Sequence, residues 1–124
     1  MVTRLLASER YGERWGRYWL DVARYADTKG LAGEDREPRY IGSHNYRDWV
    51  IRSFNEDLPY DQFLTRQIAA DKVDGLGKGE QAALGFLTLG SRFNNNSDDI
   101  IDDRIATVAK AKLGLTLTCA RCHD

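Results

Sequence analysis

The sequence predicts an all-α protein, an irregular bundle of about five helices that forms one domain over residues 1–124. Apolar residues recur every three or four positions in most segments, as they do on the buried face of a helix. The breaks between these segments contain glycine, proline and asparagine, which favour turns. With 124 residues, of which 42% are hydrophobic and 30% charged, the chain has an ordinary globular composition and enough length for one modest core.

Aromatic residues dominate the first two predicted helices. A long amphipathic helix is predicted over residues 3–27, with a buried stripe formed by Tyr11, Trp15, Trp19, Val22 and Ala26. A loop follows over residues 28–42, which contain three glycines and a proline. The stripe of the second helix consists of Tyr46, Trp49, Val50 and Phe54. Ser43 is the predicted N-cap of this helix.

Three more helices are predicted in the second half of the chain. The third begins at Pro59, because proline suits the first helical position, and it buries Tyr60, Phe63, Leu64 and Ile68. A short fourth helix is predicted over residues 80–89, after a glycine-rich connection. An asparagine-rich turn over residues 90–97 leads to the fifth helix, whose acidic start suits the helix dipole. We expect the two cysteines at the C-terminal end of this last helix.

The clearest chemical signal is the motif Cys119-Ala120-Arg121-Cys122-His123, which has the Cys-x-x-Cys-His spacing of c-type haem attachment. Cys119 and Cys122 can each form a thioether with a vinyl group of one porphyrin, and His123 is then the proximal iron ligand. Three alternatives remain: a redox-active dithiol, half of a zinc site and an ordinary disulfide. A redox motif favours a βαβ context, which is lacking here, and zinc favours about four ligands.

Other residues are weaker candidates for binding. His44 is the candidate distal ligand of the iron, and Met1 is a weaker candidate for the same position. Arg24 and Asp27 are expected to form a surface ion pair, although a haem propionate is an alternative partner. The acidic residues Asp98, Asp99, Asp102 and Asp103 are interpreted as helix-dipole partners, with an ion pair inside residues 102–104, rather than as a cation site.

Composition excludes several classes of function. The net charge of −1, from 18 basic and 19 acidic residues, gives no electrostatic case for nucleic acid. No apolar run approaches the roughly 20 residues that span a membrane. We find no nucleophile with a paired base and no phosphate-binding loop, so independent catalysis is not predicted.

Thioether attachment is expected outside the cytoplasm, yet the start of the chain lacks the apolar core of a signal peptide. We therefore interpret the chain as a fragment of a larger protein.

Several long segments carry a resemblance to one family, namely residues 7–15, 19–27, 46–51, 54–63, 100–104 and 114–124. Together they resemble the domain of unknown function 1549, also called planctomycete cytochrome domain 2 (PSCyt2), over nearly the whole chain. In relatives the terminal motif continues into further His, Lys, Phe, Asp and Pro residues, whereas this chain ends just after Cys-x-x-Cys-His.

The resemblance implies a helical domain of large exported, periplasmic proteins in planctomycetes and related bacteria. Its usual neighbours are a cytochrome-c-like domain and a domain of unknown function 1553 (DUF1553). The implied role is a c-type cytochrome that holds haem c through Cys119, Cys122 and His123 and transfers electrons. Two further hypotheses stay open. One is a structural or interaction module with a disulfide or zinc site, and the other is an accessory domain of a polymer-degrading enzyme.

Overall fold

Helices make up the regular structure of the computed structural model, which describes residues 1–28, 39–90 and 96–122. The α-helices in these ranges are α1 (Val2–Leu6), α2 (Arg10–Val22), α3 (Ser43–Asn55), α4 (Tyr60–Ala69), α5 (Gly85–Thr88) and α6 (Ser97–Leu113). Shorter 3₁₀ helices span Ala70–Lys72, Lys78–Leu84 and Thr118–Arg121. The described ranges contain no β-strand, and Thr28 forms an isolated antiparallel bridge with Arg39. The all-α prediction is confirmed.

The first predicted helix is in fact two helices. Helix α1 ends at Leu6 and α2 begins at Arg10, so a single helix over residues 3–27 was wrong. Ser8 lies at the break, where its carbonyl oxygen accepts from the Tyr11 N–H at 2.8 Å and its hydroxyl oxygen accepts from the Arg10 N–H at 3.4 Å. A serine that bonds its neighbours' backbone in this way competes with helix propagation. Helix α2 ends before Arg24, which has a left-handed φ of 58°.

The starts of the next helices differ slightly from prediction. The N-cap of α3 is Gly42, with φ 83°, and the predicted cap Ser43 is instead the first helical residue. Its hydroxyl donates a hydrogen bond to Asp27 Oδ1 at 3.4 Å. Proline at position 59 is the N-cap of α4 rather than its first residue. The predicted fourth helix is a 3₁₀ helix, Lys78–Leu84, continued by α5.

Helix α6 has defined ends. The side chain of Asn96 accepts hydrogen bonds from the backbone N–H groups of Asp98 and Asp99, which caps its N-terminus. Gly114 ends the helix with a left-handed φ of 65°, a conformation in which glycine is favoured. Because the helix stops at Leu113, the prediction that it runs to the cysteines was wrong.

The core lies where α2, α3, α4 and α5 meet. Its buried members are Ala23, Tyr46, Trp49, Val50, Phe63, Ala70, Ala83 and Phe86. Trp49 stacks on Phe63 with 5.2 Å between ring centroids, and Trp19 meets the same phenylalanine edge-on at 4.9 Å. Aromatic packing of this kind stabilises the interior beyond the area that it buries.

The buried face of α2 differs from the predicted stripe. Trp15, which was expected in the core, is 51% exposed, whereas Gly12 and Gly16 are buried against α3. A Cβ on Gly12 would lie 2.3 Å from the backbone oxygen of Ile51, so the two helices approach more closely than side chains allow. The small residues therefore form the contact, and the larger aromatic side chain of Trp15 stays outside it.

Part of the sequence prediction concerns residues outside the described ranges. These are residues 29–38 of the predicted loop, residues 91–95 of the asparagine-rich turn, His123 and Asp124. Among the described helices, none is both long enough and apolar enough to span a membrane.

Candidate haem-attachment site

Cys119 and Cys122 lie on a single 3₁₀ turn. The N–H of Cys122 donates to the Cys119 carbonyl oxygen at 3.2 Å, and the N–H of Ala120 donates to the Leu117 carbonyl oxygen at 3.0 Å. Side chains three residues apart eclipse each other in this conformation. A turn of this kind is therefore a backbone on which two such side chains can share one side. We call residues 118–122 the cysteine turn.

Arg121 holds the cysteine turn against α6. Its Nη1 lies 2.5 Å from Asp99 Oδ1 and 3.9 Å from Asp102 Oδ2. The hydrogen bond to Asp99, together with the charges of both carboxylates, raises the pKa of the Arg121 guanidinium. After α6 ends, the chain thus reverses and returns to the first turns of the same helix. The middle of the motif thus contacts α6 through its own arginine.

Both thiols of the cysteine turn are exposed and neither forms a disulfide. Within the described residues, no group of three or more His, Cys, Asp or Glu side chains is placed to hold a metal ion. His123 lies outside those residues. The cysteines are therefore accessible to a covalent partner.

Exposed aliphatic side chains precede the cysteine turn in the chain, and others lie on α6. Leu115 and Leu117 lead into it and are 52% and 37% exposed. Ile101 and Ile105, one helical turn apart on α6, are 53% and 54% exposed. Large apolar side chains exposed together commonly mark a surface that a ligand or another protein covers.

The other candidate ligands and ion pairs are distributed differently from the predictions. His44 is exposed in the first turn of α3, and Met1 is 94% exposed at the start of the chain. Arg24 pairs with Asp103 of α6, so the predicted pair with Asp27 was wrong. Asp27 instead accepts a hydrogen bond from the Tyr25 hydroxyl at 2.6 Å.

The acidic start of α6 does not gather into a cation site. Asp98 and Asp99 occupy the first turn, as expected for residues that complement the helix dipole. Asp99 and Asp102 face Arg121, whereas Asp103 faces Arg24. The predicted ion pair within residues 102–104 was wrong, because Arg104 Nε donates instead to the Leu87 carbonyl oxygen at 3.1 Å.

Arg121 is the residue of this site that sequence reasoning missed. Its partners lie 22 and 19 positions earlier in the chain, and nothing in local spacing connects them. The available signal was compositional. A basic residue lies inside the motif, and the preceding helix opens with several acidic residues.

Comparison with known proteins identifies one family. No curated protein matches the chain, and no solved structure matches it. The family model PSCyt2, described as protein of unknown function (DUF1549), matches residues 1–124. Since that match covers the whole chain, including the cysteine turn, the protein belongs to the PSCyt2 (DUF1549) family.

Proposed function

We propose that this chain is a haem-c-binding, electron-transfer domain of a larger exported protein. The observation that supports it most is that two free, exposed thiols lie three residues apart on a single 3₁₀ turn. Two thioethers to one porphyrin need that arrangement, because both vinyl groups belong to the same ring. The sequence adds His123 directly after the second cysteine as the axial ligand.

The chain's own groups have separate roles in this proposal. Cys119 and Cys122 would hold the haem through thioethers, each formed by addition of S–H across a vinyl double bond, which releases no atom and needs no oxidant. Leu115 and Leu117 supply apolar contact beside the attachment point. Arg121, through Asp99 and Asp102, keeps the cysteine turn in place. Bound haem would supply one-electron cycling between ferric and ferrous iron, with a potential set by burial and hydrogen bonding.

The proposed partners are domains of the same parent protein. We expect a cytochrome-c-like domain as the electron partner and a DUF1553-like domain as a further neighbour. Export to the periplasm fits this proposal, because thioether attachment is expected outside the cytoplasm. The near-neutral charge of the chain adds no argument for nucleic acid as a partner.

The test is covalent pigment in the complete protein, exported from a host with haem-maturation machinery. We expect a Soret band that survives acid–acetone extraction, and a mass increase of one haem. The matched control is the double variant Cys119→Ala with Cys122→Ala, which we expect to be colourless but folded, since both side chains are exposed. A colourless parent protein that contains stoichiometric zinc or a disulfide would instead support a structural or interaction module.

The sixth iron position can be assigned with the same material. His44 is exposed and is the only histidine besides His123. If it is the distal ligand, His44→Ala will change the iron spin state and shift the visible bands without loss of covalent haem. An unchanged spectrum would exclude His44 from that position.

A further inference from the structure

A pocket lies away from the cysteine turn, where α2, the end of α3 and the start of α4 meet. It has a volume of about 510 Å³. Five of its lining residues are aromatic, namely Tyr11, Trp19, Phe54, Tyr60 and Phe63. None of the lining residues comes from α6 or the cysteine turn, so this site does not depend on haem. We call it the aromatic pocket.

Asp57 is the charged residue of the aromatic pocket. The lining contains no lysine, arginine or histidine that could neutralise its carboxylate. Asp57 forms no ion pair or side-chain hydrogen bond with any residue that the structure describes. Its neighbour Glu56, by contrast, has a cationic partner, since Glu56 Oε1 lies 3.9 Å from Arg52 Nε. The same arginine also pairs with Glu80, with 2.7 Å between Nη2 and Oε1. The pocket therefore combines five aromatic side chains with an exposed carboxylate that no described cation neutralises.

The backbone at Asp57 is left-handed. The residue has φ 51° and follows the last turn of α3. The N–H of Leu58 donates to the Ser53 carbonyl oxygen at 3.0 Å, and the N–H of Asp57 donates to the Phe54 carbonyl oxygen at 3.3 Å. This is a Schellman motif, in which glycine is the usual residue at the left-handed position. Aspartate also adopts this conformation, so the cap fixes where the Asp57 carboxylate lies beside the pocket.

The walls of the pocket are held by the core. The indole N–H of Trp19 donates to Gln67 Oε1 at 2.7 Å, and that amide is fully buried. Phe63 is packed between Trp19 and Trp49, with centroid distances of 4.9 and 5.2 Å. Tyr60, by contrast, is 61% exposed and lies at the mouth. A rigid interior with an accessible rim allows a ligand to bind without rearrangement of the fold.

We infer that the aromatic pocket binds a small organic cation that carries a methylated ammonium group. Such a group has an apolar surface that suits aromatic walls and a positive charge that suits both the ring faces and Asp57. An anionic ligand would be repelled by the carboxylate. A neutral apolar ligand would gain nothing from that charge.

The test is a titration of the full chain with choline, in which the NMR signal of the Trp19 indole N–H reports binding. The control ligand is the uncharged isostere of choline in which a tert-butyl group replaces the trimethylammonium group. We expect choline to bind about 2- to 10-fold more tightly than this isostere, as cation–π attraction at a partly exposed site predicts. Equal affinities, or no binding of choline, would overturn the inference.

Variants separate the charge from the aromatic rim. Asp57→Asn should weaken choline binding several-fold and leave the isostere unaffected, because asparagine tolerates the left-handed conformation. The matched control is Asp61→Asn, since Asp61 lies on α4 but not in the pocket lining. Tyr60→Ala should weaken binding, and Tyr60→Phe should retain it. Loss of binding in Asp61→Asn, or full binding in Asp57→Asn, would refute the proposed role of the carboxylate.

Discussion

A single glutamate connects three elements of the fold. Glu80 accepts hydrogen bonds from Trp49 Nε1 at 2.9 Å, Arg66 Nη1 at 2.9 Å and Arg52 Nη2 at 2.7 Å. It thereby joins the 3₁₀ helix Lys78–Leu84 to α3 and α4. Burial on its own would raise the pKa of the Glu80 carboxyl. The hydrogen bonds from Trp49 and Arg66 and the charges of both arginines outweigh burial and lower it.

We predict that Glu80→Gln destabilises the protein at neutral pH but much less in acid. The pKa of Glu80 is lower in the folded than in the unfolded state, so its carboxylate stabilises the fold at any pH above the unfolded-state pKa. This stabilisation is lost as the pH falls through the folded-state pKa. At about pH 7 we expect a loss of roughly 1–3 kcal/mol in unfolding free energy, as for hydrogen bonds to a charged group. Urea unfolding of both proteins, from neutral pH down to acid, measures the difference.

Glu56→Gln is the matched control for this experiment. Glu56 lies 3.9 Å from Arg52, and its side chain is 64% exposed. We expect its substitution to change unfolding free energy by less than about 0.5 kcal/mol. A Glu80→Gln effect that stays constant from neutral pH into acid would show that its carboxylate charge contributes nothing to stability.

At the scale of elements, the contact between α2 and α3 depends on the absence of side chains. Gly12 and Gly16 are one helical turn apart on the face of α2 that meets α3. Close approach lets Asn55 of α3 bond the start of α2, accepting from the Gly12 N–H at 2.8 Å and donating to the Glu9 carbonyl oxygen at 2.9 Å. The neighbouring helix thus supplies the cap that Glu9 does not provide.

We predict opposite effects for alanine at the two glycines. A Cβ on Gly12 would lie 2.3 Å from Ile51 O and 2.7 Å from Asn55 Oδ1, so the helices must separate, at a cost of about 1–3 kcal/mol. A Cβ on Gly16 would meet Val50 Cγ1 at 3.4 Å, an ordinary contact. Alanine there should be neutral or should stabilise by up to about 1 kcal/mol. Thermal unfolding of both variants measures this, and equal effects would contradict it.

The same helix shows how much of the fold was predictable. Both the aromatic residues and the glycines of α2 recur at helical spacing, and hydrophobicity alone selected the aromatic face. Trp15 is half exposed because the glycine face makes the contact. Glycine is unfavourable inside a helix, so two glycines four residues apart were a readable sign of close packing. Helix positions followed from periodicity, but the choice between two faces needed the partner helix.

The candidate site was predictable to a similar degree. The spacing of Cys119 and Cys122 identified the chemistry, because that signal is local. The Arg121 contact with Asp99 and the aromatic pocket with Asp57 both arise from residues that the fold brings together. Neither has a local pattern in the sequence, and the Arg24 partner was assigned incorrectly for the same reason.

Across the whole molecule, the helices are not equally secured. Helices α2 to α5 share the buried aromatic core, whereas α6 adds the partly buried Val108 and Ala111 to its edge and buries two small residues, Thr107 and Ala109, outside that cluster. Polar contacts add to that attachment. Asp103 pairs with Arg24, and Arg104 donates to Leu87. Elements with few buried apolar contacts open at lower free energy than the global unfolding reaction.

We therefore predict that α6, together with the cysteine turn, opens before the rest of the protein, and that Asp103→Asn enhances this opening. The Nε and Nη2 atoms of Arg24 are already buried without a hydrogen-bond partner in the described structure, so loss of Asp103 removes its remaining charged contact. We expect local stability of α6 to fall by about 1–3 kcal/mol. Hydrogen exchange read by mass spectrometry should show faster exchange in α6 than in α3.

Asp102→Asn is the control, because Asp102 lies 3.9 Å from the exposed Arg121 and should leave exchange in α6 nearly unchanged. Uniform exchange across α3 and α6 would mean that the α6 helix, despite its few apolar contacts, unfolds only with the whole domain.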